Sequence, residues 1–483
     1  GMLDELRSER IKKLNLLREN GKNPYPALTK RNASIESVLK NFPELEESKN
    51  TVSIAGRVLS LREHGGILFC DLSDGTGKIQ ILLKKDTLFK LYELFISSVD
   101  IGDFIETAGV AFKTKRGEMT IEVSEWSMLT KSLLPLPEKW HGLQDTEDRY
   151  RKRYLDILMS SHVKDMFVKK AKFWKSTREF LESNGFMEVE TPVLEPSPGG
   201  ADAEPFLTHL NALNIDLYLR ISPELYLKRL MVAGFEKVFE IGRIFRNEGI
   251  DKEHLQDYTQ LEFYWGYADY RMLMEFVEDM YKKIIMDTIG SLEHQWNGQT
   301  INWGGKWKTY DYYEAMKEHA GIDLKTASDT DLRAMATKLG LGPEKHHGRG
   351  RVIDLIFKKA VRSHMIQPGF LINPPLDVEP LAKRMESDPD KVERVQVVAC
   401  GSELGKGFSE LNDPMDQRAR MEEQLKLREA GDKEAQRLDE DFLEALEHGM
   451  PPTAGFGFSE RLFSILVDKP VRETTYFPLM RPK

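Results

Sequence analysis

An arginine and a glutamate two positions apart are the residues of this chain best suited to chemistry. Arg246 and Glu248 follow an alternation of apolar and polar residues over 239–245. If a strand continues through them, both side chains lie on one face of a sheet. A forked cation beside a carboxylate suits a phosphate next to an amine-bearing base. Alone, the pair is also compatible with a solvated Arg-x-Glu on an exposed strand, so its meaning depends on the rest of the chain.

Two further segments supply that context. Residues 184–194 end a helix and run into a strand closed by Pro192, and residues 454–463 are glycine-rich before they turn apolar. In this order, the segments at 184–194, 239–264 and 454–463 resemble motifs 1, 2 and 3 of class II aminoacyl-tRNA synthetases. Residues 220–230, 408–414 and 477–482 resemble the lysyl-tRNA synthetases of bacterial type. The resemblance covers nearly the whole chain.

The resemblance implies a fold and a reaction. It implies an α+β protein with an N-terminal OB-fold β-barrel that binds the anticodon and a class II catalytic domain, an antiparallel sheet flanked by helices. Members of the family activate L-lysine with ATP to lysyl-adenylate and transfer it to the 3′ end of tRNA(Lys). The expected partners are therefore tRNA(Lys), L-lysine, ATP with Mg²⁺, and a second copy of the chain in a homodimer built around motif 1.

The same resemblance implies roles in ATP binding. Attack of a carboxylate on the α-phosphorus needs in-line positioning and charge neutralisation more than a general base. Arg246 is expected at the α-phosphate and the lysine carboxylate, and Arg461 near the γ-phosphate, as the two catalytic residues. The remaining expected ATP-binding residues are Glu248 at the adenine amine, His254 at the phosphates, Tyr258 stacked on adenine, and Glu403.

Selecting lysine requires acceptors for an ammonium group at the end of four methylenes, and a buried acid pair with a phenol provides them. Glu224, Glu410 and Tyr264 match the family residues that do this. The other residues expected to bind lysine are Gly200 and Glu262 at the α-amino group, together with Arg246, Lys406 and Phe408. Each carboxylate alone could belong to an ordinary structural ion pair, and the set in context favours the pocket.

The expected metal site departs from the family pattern. Mg²⁺ that bridges ATP phosphates needs hard oxygen ligands, and Glu403 matches a family ligand. Its partner position holds Gln396 where glutamate is usual, so one negative charge is lost and weaker metal binding is expected. Lys406 also replaces a customary asparagine, and motif 3 lacks its third glycine at Ser459.

Composition limits the function classes. A chain of 483 residues is too long for one core and indicates two or three domains. The net charge of −9 is not that of a generally basic nucleic-acid binder, so any RNA-binding surface must be local. No apolar run approaches the roughly 20 residues of a membrane span, and no membrane partner is expected. Two widely spaced cysteines, Cys70 and Cys400, indicate no disulfide framework and fit a reducing cytoplasm.

The chain divides into four predicted segments. Residues 1–50 form an N-terminal helical extension, and residues 131–150 form a linker with prolines at 135 and 137. Residues 51–130 show period-two strands at 52–58, 67–72, 78–83, 103–112 and 118–129, with a helix near 87–97. Five strands with a helix after the third are the plan of an oligonucleotide-binding barrel. Residues 151–483 form the catalytic domain, with a helical insertion at about 320–370.

Three residues of the barrel are expected to bind the anticodon. Phe69 and Gln80 fall on the face of strands two and three, which can stack and read bases, and both match the family's anticodon-reading positions. Glu118 is the third, as a base acceptor. Taken alone, Phe69 is more typical of a core aromatic residue, and the family match favours anticodon stacking.

Three other functions stay open at this point. A divergent paralogue could activate lysine or an analogue for another acceptor, such as a protein amine, although protein-modifying relatives lack the anticodon barrel. A catalytically impaired tRNA-binding protein would explain the changes at Gln396, Lys406 and motif 3. Aspartyl- and asparaginyl-tRNA synthetases share the architecture, but Glu224 and Glu410 would repel an acidic side chain.

Overall fold

The chain folds into two compact units, Gly1–Asp145 and Thr146–Lys483. The computed structural model describes residues 1–138 and 142–482. Within these residues, none of the helices has the length and apolar character needed to cross a membrane. The predicted segment boundaries near 50, 130 and 150 stay predictions. A short helix, α6 (Thr146–Arg151), lies in the predicted linker.

The first unit is built on a closed five-stranded barrel. Its strands are β1 (Val52–His64), β2 (Ile67–Ser73), β3 (Lys78–Lys84), β4 (Phe104–Lys113) and β5 (Met119–Thr130). They pair in the order β1-β2-β3-β5-β4, and β4 closes the barrel against β1. Three helices precede it and two follow β3: α1 (Met2–Glu19), α2 (Ile35–Lys40), α3 (Phe42–Ser48), α4 (Lys85–Leu88) and α5 (Lys90–Ser98).

Alternation along the strands explains why these residues form a barrel. On β2, Leu68, Cys70 and Leu72 point into the core and are buried, while Phe69 and Asp71 between them are half-buried on the outer face. This is the period of two expected of a strand with one buried face. The predicted five strands with a helix after the third are confirmed.

The second unit is organised around an eight-stranded sheet. Its strands are β6 (Met187–Glu188), β10 (Lys237–Phe245), β11 (Asp257–Gly266), β14 (Lys308–Asp311), β15 (Gly369–Ile372), β16 (Arg394–Ala399), β17 (Ser402–Ser409) and β18 (Thr453–Ser459). The order is β14-β15-β16-β17-β18-β11-β10-β6. A three-stranded sheet of β7 (Leu194–Glu195), β9 (Ile215–Leu219) and β8 (Leu207–Leu210), and a hairpin of β12 (Glu293–Trp296) and β13 (Gln299–Asn302), complete the strands.

The predicted antiparallel sheet flanked by helices is confirmed, with one refinement. The five inner pairings are antiparallel. The two outermost pairings, β14 with β15 and β10 with β6, are parallel. Helices α8 and α10 pack on the sheet and contribute to its main apolar core.

The helices of the second unit have the following bounds: α7 (Arg153–Met159), α8 (Ser161–Ser183), α9 (Glu224–Val232), α10 (Tyr270–Ile289), α11 (Tyr312–Ala320), α12 (Asp329–Lys338), α13 (Arg349–Ile356), α14 (Pro414–Glu429), α15 (Glu440–Glu447) and α16 (Arg461–Leu466). A π-helical turn, Phe357–Val361, and a 3₁₀ turn, Arg362–His364, extend α13, and another 3₁₀ turn spans Leu376–Val378. Helices α11 to α13 share a separate apolar core that includes Leu332 and Ile353.

Candidate active site

A cleft of about 1030 Å³ lies over the strands β11, β16, β17 and β18 of the second unit. Helix α9 and the chain at 348–354 and 376–380 complete its walls. Every site residue predicted outside the barrel lines this cleft: Gly200, Glu224, Arg246, Glu248, His254, Tyr258, Glu262, Tyr264, Gln396, Glu403, Lys406, Phe408, Glu410 and Arg461. Their individual roles stay predictions.

Arg246 and Glu248 line the cleft from a loop and not from the strand that the alternation predicted. Strand β10 ends at Phe245, so both residues lie in the loop that follows and do not share a strand face. The Arg246 Nε and Nη2 groups donate to the carbonyl oxygen of Ile221 at 3.2 and 3.1 Å. The guanidinium carbon lies 5.6 Å from the centroid of the Tyr258 ring. Arg246 is thus held beside the aromatic residue expected to stack on adenine.

Glu262 is buried and receives three hydrogen bonds. Its Oε1 accepts from Ser222 Oγ at 3.0 Å and from Gln260 Nε2 at 2.8 Å, and its Oε2 accepts from the Tyr264 hydroxyl at 3.3 Å. Burial raises the pKa of the Glu262 carboxyl to about 8, and the neighbouring charge of Glu224 adds to the rise. A cation that enters this pocket would therefore favour the ionised form of Glu262.

Glu224 and Glu410 are bridged by a lysine that the sequence did not predict. Lys228 Nζ lies 2.7 Å from Glu224 Oε1 and 2.5 Å from Glu410 Oε2. All three side chains are buried. Burial raises the pKa of Glu410 well above its ordinary value, and the charge of Lys228 opposes that rise. The acid pair expected to read an ammonium group thus already contacts one.

Glycines make room for these carboxylates. Gly200 has φ +87°, and a Cβ there would lie 2.8 Å from the Glu224 Cβ. On β18, a Cβ at Gly455 would lie 2.2 Å from Glu410 Oε1 and 2.4 Å from the Tyr264 ring. Real Cβ atoms essentially never approach so closely, so these positions require glycine as long as the acids keep their places.

The region of the expected metal site is rich in cations. Gln396 Nε2 donates to Glu403 Oε1 at 2.8 Å, and Gln396 Oε1 accepts from Arg394 Nη2 at 2.6 Å. The other Glu403 oxygen faces Arg362 Nη1 at 3.4 Å. Across residues 1–138 and 142–482, no group of three or more His, Cys, Asp or Glu side chains is arranged to hold a metal ion. Glu403 fits a single ligand to magnesium on substrate phosphates, whereas the Gln396 oxygen is directed at Arg394.

Lys406 is paired within the protein. Its Nζ lies 2.8 Å from Glu379 Oε2, and Arg394 Nη1 approaches the same oxygen at 3.4 Å. Lys406 is also the cross-strand partner of Gln396, so the two departures from the family pattern are direct neighbours on β16 and β17. The Glu379 carboxylate therefore anchors the cation that replaces the customary asparagine.

The expected phosphate-binding residues are also anchored by acids. Arg461 Nη2 donates to Ser402 Oγ at 2.8 Å and lies 2.5 Å from Glu253 Oε1. The other Glu253 oxygen is 3.6 Å from Arg362. His254 Nδ1 lies 2.7 Å from Asp251 Oδ2, and the His254 side chain is half exposed. The guanidinium of Arg461 and the imidazole of His254 thus line the cleft in defined positions.

The barrel carries a polar row next to Phe69. Gln80 Nε2 donates to Thr120 Oγ1 at 2.9 Å, and Gln80 Oε1 accepts from Arg62 Nη2 at 3.1 Å. Arg62 also pairs with Asp71 at 3.1 Å. Hydrogen bonding to Asp71 raises the pKa of Arg62, and the charge of Glu118 contributes to the rise. The three predicted anticodon residues therefore lie around one arginine that sequence reasoning missed.

Comparisons with known proteins agree on both units. Residues 145–481 match the family described as tRNA synthetases class II (D, K and N), and residues 52–129 match the OB-fold nucleic acid binding domain. A lysine–tRNA ligase of Moorella thermoacetica is 45% identical over 99% of this chain and 98% of its own length. Those of Carboxydothermus hydrogenoformans and Thermotoga maritima are 44% and 42% identical over 100% of this chain and 99% and 97% of their own lengths.

Proposed function

We propose that this chain, which belongs to the class II lysine–tRNA ligases, activates L-lysine with ATP in the cleft and passes the lysyl group to the 3′ end of tRNA(Lys). The observation that carries the proposal is the convergence of Glu224, Glu262 and Glu410 in the cleft that also contains Arg246 and Arg461. Acids that face a cationic side chain and arginines that face phosphates are the two halves of a site that activates lysine.

In the first step, an oxygen of the lysine carboxylate attacks the α-phosphorus of ATP. The new O–P bond forms as the bond to pyrophosphate breaks, and no proton needs to move at the reacting atoms. Arg246 holds the carboxylate and the α-phosphate together and neutralises their charge, which is how such transfers are accelerated. Arg461 holds the far end of the triphosphate. In the second step, a hydroxyl of the terminal ribose attacks the lysyl carbonyl carbon, an ester forms, and AMP leaves.

Magnesium would be held by Glu403 together with the ATP phosphates. Bound there, the ion would neutralise phosphate charge as pyrophosphate forms. Gln396 serves in this proposal as the hydrogen-bond donor that orients Glu403, not as a ligand, because its oxygen is directed at Arg394.

For the barrel, we propose that Phe69 stacks on an anticodon base while Gln80 and Glu118 contact base edges. Arg62 supports this role because it donates to Gln80 and so holds the Gln80 side chain in place on this face of the barrel.

For the assembly, we propose a homodimer. Large apolar side chains near motif 1 are exposed in the isolated chain, including Leu194 at 48% and Leu207 at 62%. A monomer by sedimentation at micromolar concentration would contradict the dimer.

The proposed function is tested by ATP–pyrophosphate exchange with each amino acid in turn, with excess Mg²⁺ and without tRNA. Exchange with lysine alone is the expected result. Charging of tRNA(Lys) by the same preparation then separates this function from that of a paralogue with another acceptor. A folded protein that binds tRNA but exchanges with no amino acid would be the impaired tRNA-binding protein instead.

A further inference from the structure

Lys228 sits in the middle of the proposed lysine pocket. It lies one helical turn after Glu224 on α9, and its side chain is fully buried. Its Nζ contacts Glu224 Oε1 at 2.7 Å and Glu410 Oε2 at 2.5 Å. It also lies 5.4 Å from the centroid of the Phe408 ring and 5.8 Å from that of Phe442. The protein thus places an ammonium group of its own between two of the acids proposed to bind the substrate.

This ammonium group is charged and held in place. Burial alone disfavours the charge, but the two carboxylates outweigh burial and raise the pKa of Lys228 above its ordinary value. Aromatic rings and buried helix positions surround the side chain, so moving it out would separate two ion pairs inside the protein. Lys228 is therefore a fixed part of the pocket.

The pocket retains acceptors for the substrate after Lys228 is counted. Lys228 Nζ contacts one oxygen of each carboxylate, Oε1 of Glu224 and Oε2 of Glu410. Oε2 of Glu224 and Oε1 of Glu410 remain as acceptors. Buried acceptors without a donor are costly to leave unsatisfied. A ligand with N–H groups would satisfy them.

Counting charges shows what the ligand must carry. Burial favours the protonated acids in the empty pocket, but once ionised the carboxylates of Glu224, Glu262 and Glu410 carry two negative charges beyond the one that Lys228 balances. Free lysine has two ammonium groups, one on the α-carbon and one at the end of the side chain. Its carboxylate is assigned to Arg246.

The other groups that face these acids do not alter the count. They lie in the loop after β10, on β11, on β17 and in the chain at 379, and they are Arg246, Tyr264, Lys406 and Glu379. Lys406 and Glu379 pair with each other. Tyr264 is neutral, because burial raises the pKa of its hydroxyl well above the ordinary value.

We propose that Lys228 is an internal ammonium group that balances one of three carboxylates, so that the pocket accepts the two ammonium groups of lysine. The inference rests on the proposed function and makes Lys228 a positioning and specificity-determining residue for it. Removing its charge leaves three carboxylates for two substrate charges, so one of the three must keep a proton in the complex. It also raises the pKa of Glu224 and of Glu410, because the charge of Lys228 lowers both.

The test is ATP–pyrophosphate exchange by Lys228→Met, measured as KM and kcat for lysine and for ATP from about pH 6.5 to 8.5. Methionine keeps an unbranched apolar stem of similar length. The KM for lysine should rise about ten-fold or more at pH 7, while the KM for ATP stays within about two-fold. The rise of kcat/KM for lysine with pH should also shift to higher pH than in the wild-type protein, because Glu224 and Glu410 must ionise to bind the ammonium groups and have lost the charge that lowers their pKa.

Lys131→Met is the matched control. Lys131 in the barrel unit is also fully buried between two carboxylates, with its Nζ 2.6 Å from Asp100 and 2.7 Å from Asp103. It does not line the cleft. Its loss should lower stability in a comparable way and leave both KM values unchanged. If Lys228→Met does not fold, the double variant Lys228→Met/Glu410→Gln is compared with Glu410→Gln alone. The double variant has two carboxylates for two substrate charges, so it should fold and have the lower lysine KM of the two.

The possible outcomes separate a failure of this inference from a failure of the proposed function on which it rests. Wild-type protein that exchanges with lysine, combined with equal changes of both KM values in Lys228→Met, would overturn the inference alone. A lower lysine KM in that variant would do the same, because it would show that Lys228 competes with the substrate. If the double variant does not fold, or has a lysine KM equal to or above that of Glu410→Gln, the charge count is wrong. Absence of lysine-dependent exchange in the wild-type protein would overturn the proposed function and the inference together.

Discussion

Replacing Glu262 by glutamine should stabilise the ligand-free protein and weaken lysine binding at once. The carboxyl is 7% exposed, and burial, followed by the charge of Glu224, raises its pKa from 4.5 to about 8. Between these two values the folded protein holds a proton that the unfolded chain has lost. The free energy of unfolding therefore falls as pH rises from 4.5 to about 8. Glutamine removes this dependence because it does not titrate.

The size of the effect follows from the shift. Each pKa unit corresponds to about 1.4 kcal/mol, so the full rise corresponds to roughly 5 kcal/mol at pH 8. The hydrogen bonds survive the replacement. Ser222 and Gln260 can donate to the amide oxygen, and the Tyr264 hydroxyl can accept from the amide nitrogen. Since Glu224 shares the repulsion, we expect a gain of a few kcal/mol with an upper limit of roughly 5 kcal/mol.

The assay is thermal unfolding of wild type and Glu262→Gln at several values from about pH 5 to 9. The transition to follow is the one whose midpoint rises when ATP is added, because it reports on the unit that contains the cleft. The difference between the two proteins should widen up to about pH 8 and then level off. Lysine should raise the wild-type midpoint and have little effect on the variant. Glu195→Gln is the matched control, because burial and then Asp439 raise the pKa of Glu195 to about 8, and Glu195 does not line the cleft. A difference that is constant or shrinks with rising pH would refute the reasoning.

Arg246→Ala should reduce lysine-dependent exchange by about a thousand-fold or more, since no other group would hold both reacting oxygens; near-normal turnover would remove Arg246 from its role. Glu224→Gln should raise the KM for lysine by about ten-fold and leave that for ATP nearly unchanged, and equal effects would argue against direct contact with lysine. Phe69→Ala should lower charging of tRNA(Lys) by about ten-fold, since stacking on a base contributes about 1–3 kcal/mol, with exchange without tRNA unaffected. Gly455→Ala should displace Glu410 and raise the lysine KM. An unchanged KM would show that Glu410 and Tyr264 can shift to admit the added methyl group without weakening lysine binding.

The barrel and the residues that line the cleft could be predicted from the sequence, because both depend on local sequence patterns. Alternation over 67–72 and 78–83 requires strands with one buried face, and a glycine turn between them requires a hairpin. The family motifs identified the cleft residues even where the local reasoning was wrong. The strand predicted through Arg246 stops at Phe245, yet the loop still carries Arg246 and Glu248 to the cleft.

Contacts between long charged side chains could not be predicted in the same way. Lys228 follows Glu224 by four residues on a helix, and that spacing is a signal for an ion pair. Nothing in the sequence indicated that Glu410, nearly two hundred residues later, would close the bridge. Glu410 lies directly after β17 and Lys228 lies on α9, so their contact depends on the arrangement of the whole fold.

The same limit explains why two substitutions looked independent. Gln396 and Lys406 lie on different strands, and each seemed a separate departure that weakens the site. The strand register makes them cross-strand partners, and Arg394 with Glu379 links their side chains into one network. Losing a carboxylate at 396 and gaining a cation at 406 change the local charge by two in the same direction. Reverting only one of the two residues would leave the other in a network of hydrogen bonds and ion pairs that involves both. The effects of the two reversions should therefore be non-additive.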